Sequence, residues 1–190
     1  MATTQPIRDK KGLQALISYY LHRGQIRNYV LIVLGVCTAL RISDLLRLRW
    51  EDVYDFERNR VRPSIDIIEK KTGKGKTIAL NRAGVKALNL LAAQAAPGRF
   101  IIENARTELA ISRVQAYRLI RAASEAVEIE HRVSCHSLRK TFGYHAWKGG
   151  ASPVVIMEIY NHSSLAVTRR YLGVTQDDKN EVYLGLDFTA

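Results

Sequence analysis

Four separated stretches of this chain carry side chains that can hold an anion. The first is Arg41, in "TALRISDLLRL". The second is "EKKTGKGK", with four lysines and two glycines in a turn. The third is "CHSLRK", where His136 and Arg139 stand at i and i+3 and so share one face of a helix. The fourth is "YNHSSLAVTRRYLGV", in which Tyr171 follows His162 by nine positions and follows directly on Arg169 and Arg170. Arginine binds oxyanions through a planar, permanently charged fork. Histidine changes charge near neutral pH, and a phenol is a nucleophile once it is helped to ionise. Singly, each stretch has an ordinary alternative. Arg41 could lie on the surface at a helix start, and the lysines could form a solvated hairpin tip. His136 could be a satisfied core histidine or a helix cap, and Tyr171 one more packed tyrosine among nine.

Bulk properties narrow the choice of anion. The chain has 190 residues with 47% hydrophobic content, which suits one folded domain with a sizeable core. Its formal net charge is +11 and its pI about 9.9, and that excess points to a polyanion, with nucleic acid first. The opening "MATTQPIRDKKG" is polar and has no apolar signal region. The longest apolar run, Tyr29 to Leu40, is too short to span a bilayer. Cys37 and Cys135 lie in unrelated contexts, which predicts reduced thiols in a cytoplasmic protein. No Cys, His or acidic cluster has zinc-ligand spacing, so no metal is expected.

Local patterns predict the elements that must position these groups. Apolar spacing predicts a helix from about Asp9 to Leu21 and a second from Ile26 to Thr38, buried almost all round. A third helix starts near Arg41 with Ser43 as its cap. "VRPSIDIIEKKTGKGKTIAL" reads as two strands around the lysine turn, with Pro63 marking an edge. Asn81 caps a helix over Arg82 to Gln94. A further helix follows Ser112, with Val114, Tyr117 and Ile120 inward and Arg113, Arg118 and Arg121 outward. The last third reads as helical, broken at Gly149-Gly150 and at "NHSS". Ser152-Pro153 start one helix there, and Thr175 and Asp178 form a capping box for a tail helix, Gln176 to Leu184. The expected fold class is α+β and mostly helical: one domain with a small antiparallel hairpin packed on helices.

Taken together and in this order, the four stretches resemble the tyrosine recombinases, the phage integrase family. The matches are "TALRISDLLRL", "EKKTGKGKTIAL", "HSLRKTFGYHAW" and "NHSSLAVTRRYLGV", and the resemblance runs from about residue 5 to 185. It implies a DNA strand transferase whose catalytic residues are Arg41, Lys71, His136, Arg139, His162 and Tyr171. Tyr171 is the nucleophile, and the product is a 3′-phosphotyrosyl link with a free 5′-hydroxyl. Arg41, Arg139 and His162 stabilise the phosphate, His136 takes the phenol proton, and Lys71 protonates the leaving oxygen, with Lys74 and Lys76 as close rivals in the same turn. Asp44 is expected to brace Arg41. Lys70, Lys74, Lys76, Arg113, Arg118, Arg121, Arg169 and Arg170 are candidate DNA contacts; Arg169 and Arg170 read equally as a solvated helix face. No cofactor is implied.

The partners implied are double-stranded DNA, a tetramer of the chain on DNA, and accessory DNA-bending proteins, in a bacterial or phage-infected cell. The segment 175–190 is a candidate for docking onto a neighbouring protomer, its alternative being to fold back on its own core. Two other functions use the same features: a type IB topoisomerase-like relaxing enzyme, and a non-catalytic DNA-binding regulator. Three departures from the family pattern stand out. An N-terminal DNA-clamp domain is expected to be absent, since Pro6 comes almost at the start. Asn161 precedes His162 where glycine is usual, and Ala39-Leu40-Arg41 replaces Gly-Leu-Arg.

Overall fold

The structure, a computed structural model, describes residues 4–186. Helix α2 (Ile26–Cys37) is the central rod: every residue from Asn28 to Val36 is buried. Such a segment has no polar face to give to water, so other elements must cover it on all sides. Helices α1 (Lys10–Leu21), α5 (Arg82–Leu91) and α7 (Cys135–Lys148) do so. The contact with α7 is very close, since a methyl group at Gly35 would lie 2.6 Å from Leu138 Cδ1. A glycine there lets the helix carrying His136 and Arg139 lie against the helix that leads into Arg41.

Two short helices, α3 (Ile42–Leu45) and α4 (Trp50–Val53), follow α2. The middle of the chain then forms two antiparallel hairpins, one more than the pattern predicts. Strands β1 (Tyr54–Asp55) and β2 (Arg60–Val61) pair with each other, so Val61 is not part of the lysine hairpin. That hairpin is β3 (Ser64–Ile68) and β4 (Gly75–Ala79), with Ile65 opposite Ile78 and Ile67 opposite Lys76. Helix α5 ends at Leu91, and a 3-10 turn, Ala92–Gln94, completes the predicted span.

Helix α6 (Arg113–Ala126) buries Ile120 as expected, but the rest of its inward face is different. Ala116, Ile120 and Ala123 are buried, whereas Val114 is 57% exposed and Tyr117 half-buried. Helix α6 packs on α1 and α2, and the alanines on its buried face put no large side chain between them. Arg113, Arg118 and Arg121 point outward as expected.

The chain closes with α8 (Pro153–Tyr160), α9 (Leu165–Leu172) and α10 (Gln176–Leu184). Ser152 caps α8 with proline at its first turn, and Thr175 and Asp178 form the predicted box at α10. Asn161 ends α8 with φ 52° and ψ 43°, the left-handed conformation that asparagine accepts more readily than most residues. A second, smaller core lies beneath α7, α8 and α9, built from Ala39, Ile156, Tyr160 and Leu172. The predicted tail 175–190 is described as far as residue 186. No described helix is long and apolar enough to cross a membrane.

Candidate active site

The seam between the two cores opens into a cleft of about 810 Å³. Its walls include Arg41, Lys71, His136, Arg139 and Tyr171, which come from four different elements, with Arg113 at the rim. His162 joins from behind: its ring lies 4.5 Å from that of Tyr171, and the His136 ring lies 4.8 Å away on another side. The nucleophile candidate is thus flanked by both histidines.

Each position has a local cause. Arg41 precedes the first turn of α3 and is its N-cap, in the place expected for Ser43. The chain arrives there through Ala39, whose φ of 56° is a left-handed angle that favours glycine. This turn aims the Ala39 carbonyl at Arg139, whose Nη1 donates to it. Arg139 Nη2 donates to the carbonyl of Tyr160 at 2.9 Å, and the guanidinium stands 4.6 Å over the Tyr160 ring. The Arg139 side chain is fully buried, yet its Nε has no hydrogen-bond partner among the described residues. A buried guanidinium with a donor to spare is suited to an incoming anion.

Tyr160 also ties the site together. Its hydroxyl donates to the Arg139 carbonyl at 2.5 Å, and its ring lies 5.3 Å from Tyr171. Gly143 makes room for it, since a methyl there would sit 2.3 Å from the Tyr160 oxygen. His162 Nδ1 is paired with the Thr168 hydroxyl at 3.1 Å, which fixes the ring.

The electrostatics are those of a cationic pocket. Desolvation, then Lys140, Arg139, Arg41 and Lys71, hold the His136 imidazole below its usual range. Desolvation and then Arg139 and Arg41 bring His162 down to about 4. Both rings are therefore neutral near pH 7, the state in which an imidazole can accept a proton.

The placements expected for Asp44 and Lys76 change. Asp44 is buried but does not brace Arg41; its Oδ1 accepts the backbone N–H of Lys70 at 3.0 Å and so pins the hairpin. The carboxylate beside Arg41 is Glu69, at 2.8 Å and fully buried. Lys76 is not a solvent-facing lysine: its Nζ donates to the Ile159 carbonyl at 2.5 Å, and desolvation followed by Arg139 lowers its pKa to about 8. Lys70, Lys71 and Lys74 are exposed on the turn, and Lys71 alone of the four hairpin lysines lines the cleft. Arg118 lines a different depression, with Arg27 and Asn104, and Arg121 is paired with Glu125. Arg169 and Arg170 are exposed on α9.

Comparison with known proteins shows the fold and the family. The fold is that of the XerA recombinase crystal structure, with a TM-score of 0.77 at 21% identity, covering 97% of this chain and 65% of that one. The structure of XerH recombinase bound to palindromic difH in a post-cleavage complex gives a TM-score of 0.74 at 17% identity, over 97% of this chain and 54% of that one. The chain belongs to the phage integrase family, whose model matches residues 9–178. "Probable integrase/recombinase YoeC" of Bacillus subtilis is 33% identical over 183 residues, covering 96% of this chain and 97% of the relative. Tyrosine recombinase XerD of Mycobacterium leprae is 32% identical over 171 residues, covering 84% of this chain and 52% of that protein. The chain thus spans nearly the whole of the first relative and about half of the second.

Proposed function

We propose that this protein is a site-specific DNA recombinase that cuts and rejoins duplex DNA through a covalent 3′-phosphotyrosyl intermediate. The observation that carries this reading is the convergence of Arg41, Lys71, His136, Arg139 and Tyr171 on one cleft, with His162 against the nucleophile. The scissile phosphate binds between Arg41 and Arg139. His136 takes the phenol proton while the Tyr171 oxygen attacks phosphorus. The bond from phosphorus to the 5′-oxygen breaks, and Lys71 gives that oxygen its proton. Charge that grows on the non-bridging oxygens meets fixed cationic donors, each of which is worth about 10²–10³ in rate. The phosphotyrosine keeps the bond energy, so attack by a 5′-hydroxyl from a second strand reverses the chemistry and joins new partners. Family relatives carry names of integrases and recombinases, which favours strand exchange over relaxation alone.

The partner is double-stranded DNA, met by the basic surface around the cleft, in the cytoplasm of a bacterial or phage-infected cell. Exchange between two duplexes calls for four protomers, and α10 offers a contact between them. Val182, Tyr183, Leu184 and Leu186 are 59–85% exposed and so do not cover their own core, while Lys148 holds the start of α10 through Asp178. Docking of this apolar edge onto a neighbour would bury it.

The test is a nicked suicide duplex, selected for binding to the chain from a random-sequence pool. The wild-type chain forms a covalent adduct that mass spectrometry maps to Tyr171, and Tyr171→Phe binds the duplex with nearly unchanged affinity but forms none. An adduct on Tyr160 or Tyr183, or none at all, defeats the reading.

A further inference from the structure

Glu69 is a fully buried carboxylate inside a cationic site. A lone buried charge is costly, and it persists only where partners hold it. One oxygen, Oε2, gathers all of them. Arg41 Nη1 lies 2.8 Å from it, Asn161 Nδ2 donates to it at 2.9 Å, and the Thr72 hydroxyl donates to it at 2.9 Å. Burial works to raise the Glu69 pKa; Asn161, Arg41 and Thr72 together outweigh it and leave the value near 2.

These three partners belong to three separate parts of the site. Arg41 is one phosphate-binding arginine. Thr72 lies next to Lys71 in the hairpin turn, and the Glu69 backbone closes that turn by pairing with Gly73 and Lys74. Asn161 immediately precedes His162. The neighbouring Ile159 carbonyl accepts from Lys76, a second tie between the hairpin and the end of α8. The left-handed angle of Asn161 turns its side chain toward Glu69 while the chain continues into His162.

We propose that Glu69 is a positioning residue that holds Arg41, the Lys71 turn and the His162 loop in register, with Asn161 as the arm that reaches it. This rests on the recombinase reading above and deepens it. Glu69 does not touch the phosphate. It acts by fixing the groups that do, and a small misplacement of such groups is enough to cost rate. Its negative charge also opposes DNA, so a merely supportive role and a positioning role differ in their signature. Loss of the charge leaves affinity for duplex the same or tighter, while the chemical step slows.

Two measurements on the full chain decide this. The first is single-turnover adduct formation on the nicked suicide duplex described above, with affinity measured separately. Glu69→Gln and Asn161→Gly each slow adduct formation by about tenfold or more, the scale of a hydrogen bond to a charged group, and Glu69→Gln binds the duplex at least as tightly as wild type. The double variant is no slower than Glu69→Gln alone, because both changes cut one network. The second is amide hydrogen exchange without DNA: in Glu69→Gln the N–H groups of Gly73 and His162 both lose protection, while those of α2 keep theirs. An unchanged adduct rate in Glu69→Gln, or fully additive effects, overturns the proposal. If the wild-type chain forms no adduct, the recombinase reading fails and exchange alone decides: loss at both amides upholds the linkage, and retention at either one ends it.

Discussion

Replacing Gly143 by alanine adds one methyl group where the structure has no space for it. That carbon would lie 2.3 Å from the Tyr160 oxygen, 2.9 Å from its Cε2 and 3.0 Å from its Cζ. Tyr160 is fully buried, and its hydroxyl is held by the Arg139 carbonyl at 2.5 Å, so it has nowhere to retreat. Overpacking of a core costs about 1–3 kcal/mol, and loss of the buried hydrogen bond adds about 1 kcal/mol. The expected destabilisation is roughly 2–4 kcal/mol, or about 5–15 °C in Tm for a chain of this size. The displacement also reaches the chemistry, because the Tyr160 ring and carbonyl both support Arg139. Adduct formation should fall by about 10² even at temperatures where the variant is folded. Adding Tyr160→Phe removes the closest of the three contacts and should recover about half of the lost stability. Differential scanning calorimetry and single-turnover cleavage test both parts. A Gly143→Ala protein that melts within about 1 °C of wild type would refute the packing argument and the coupling of Tyr160 to Arg139.

The remaining expectations concern acid stability and the hairpin. His162 has a folded pKa near 4 against 6.5 for the free group, so between those values the unfolded chain binds more protons and stability rises with pH. Thermal stability should therefore decline as pH falls from about 6.5 to about 4, and His162→Asn should flatten that decline in melting curves taken across the range. Glu69, with a value near 2 against 4.5, adds a second loss below about 4.5, which Glu69→Gln should remove; an unaltered acid limb in that variant would contradict the buried pairing. Lys71→Ala should cleave ordinary DNA slowly but recover on a duplex with sulfur in the bridging 5′ position, because a thiolate leaves without a proton. Equal loss on both substrates would make Lys71 a phosphate contact only. Lys76→Ala should instead lower Tm, since its ammonium ties β4 to the end of α8, and should show no sulfur rescue.

Much of the candidate site was legible because its parts are local. The i, i+3 spacing of His136 and Arg139, the nine-residue step from His162 to Tyr171 and the glycine-broken lysine turn are short-range patterns, and short-range geometry is what helices and turns impose. The Thr175–Asp178 capping box and the central apolar helix are local in the same sense. One misplacement was also readable in principle. Lys76 lies two residues before Ile78 on β4, so strand alternation puts both on the same face, and that face is the buried one. A lysine-rich turn concealed this, since composition suggested a uniformly solvated hairpin. The inward face of α6 was harder to read, because Val114 and Ala116 both fit an apolar stripe and the closeness of α1 and α2 selects the alanine.

Other features belong to the tertiary structure alone. Glu69 and Asn161 are 92 positions apart, as are many pairs in which nothing happens, and only the packing of the hairpin against the end of α8 makes them partners. The roles of Gly143 and Ala39 likewise depend on what approaches them: a tyrosine hydroxyl in one case, an arginine in the other. Sequence by itself determined which chemical groups this protein carries, their order and the helices that bear them, because those depend on residue type and short spacing. The fold decided which carboxylate holds Arg41, which lysine faces the cleft and which is sealed behind it, because burial, and the need for every buried charge to find a partner, are properties of elements brought together in space.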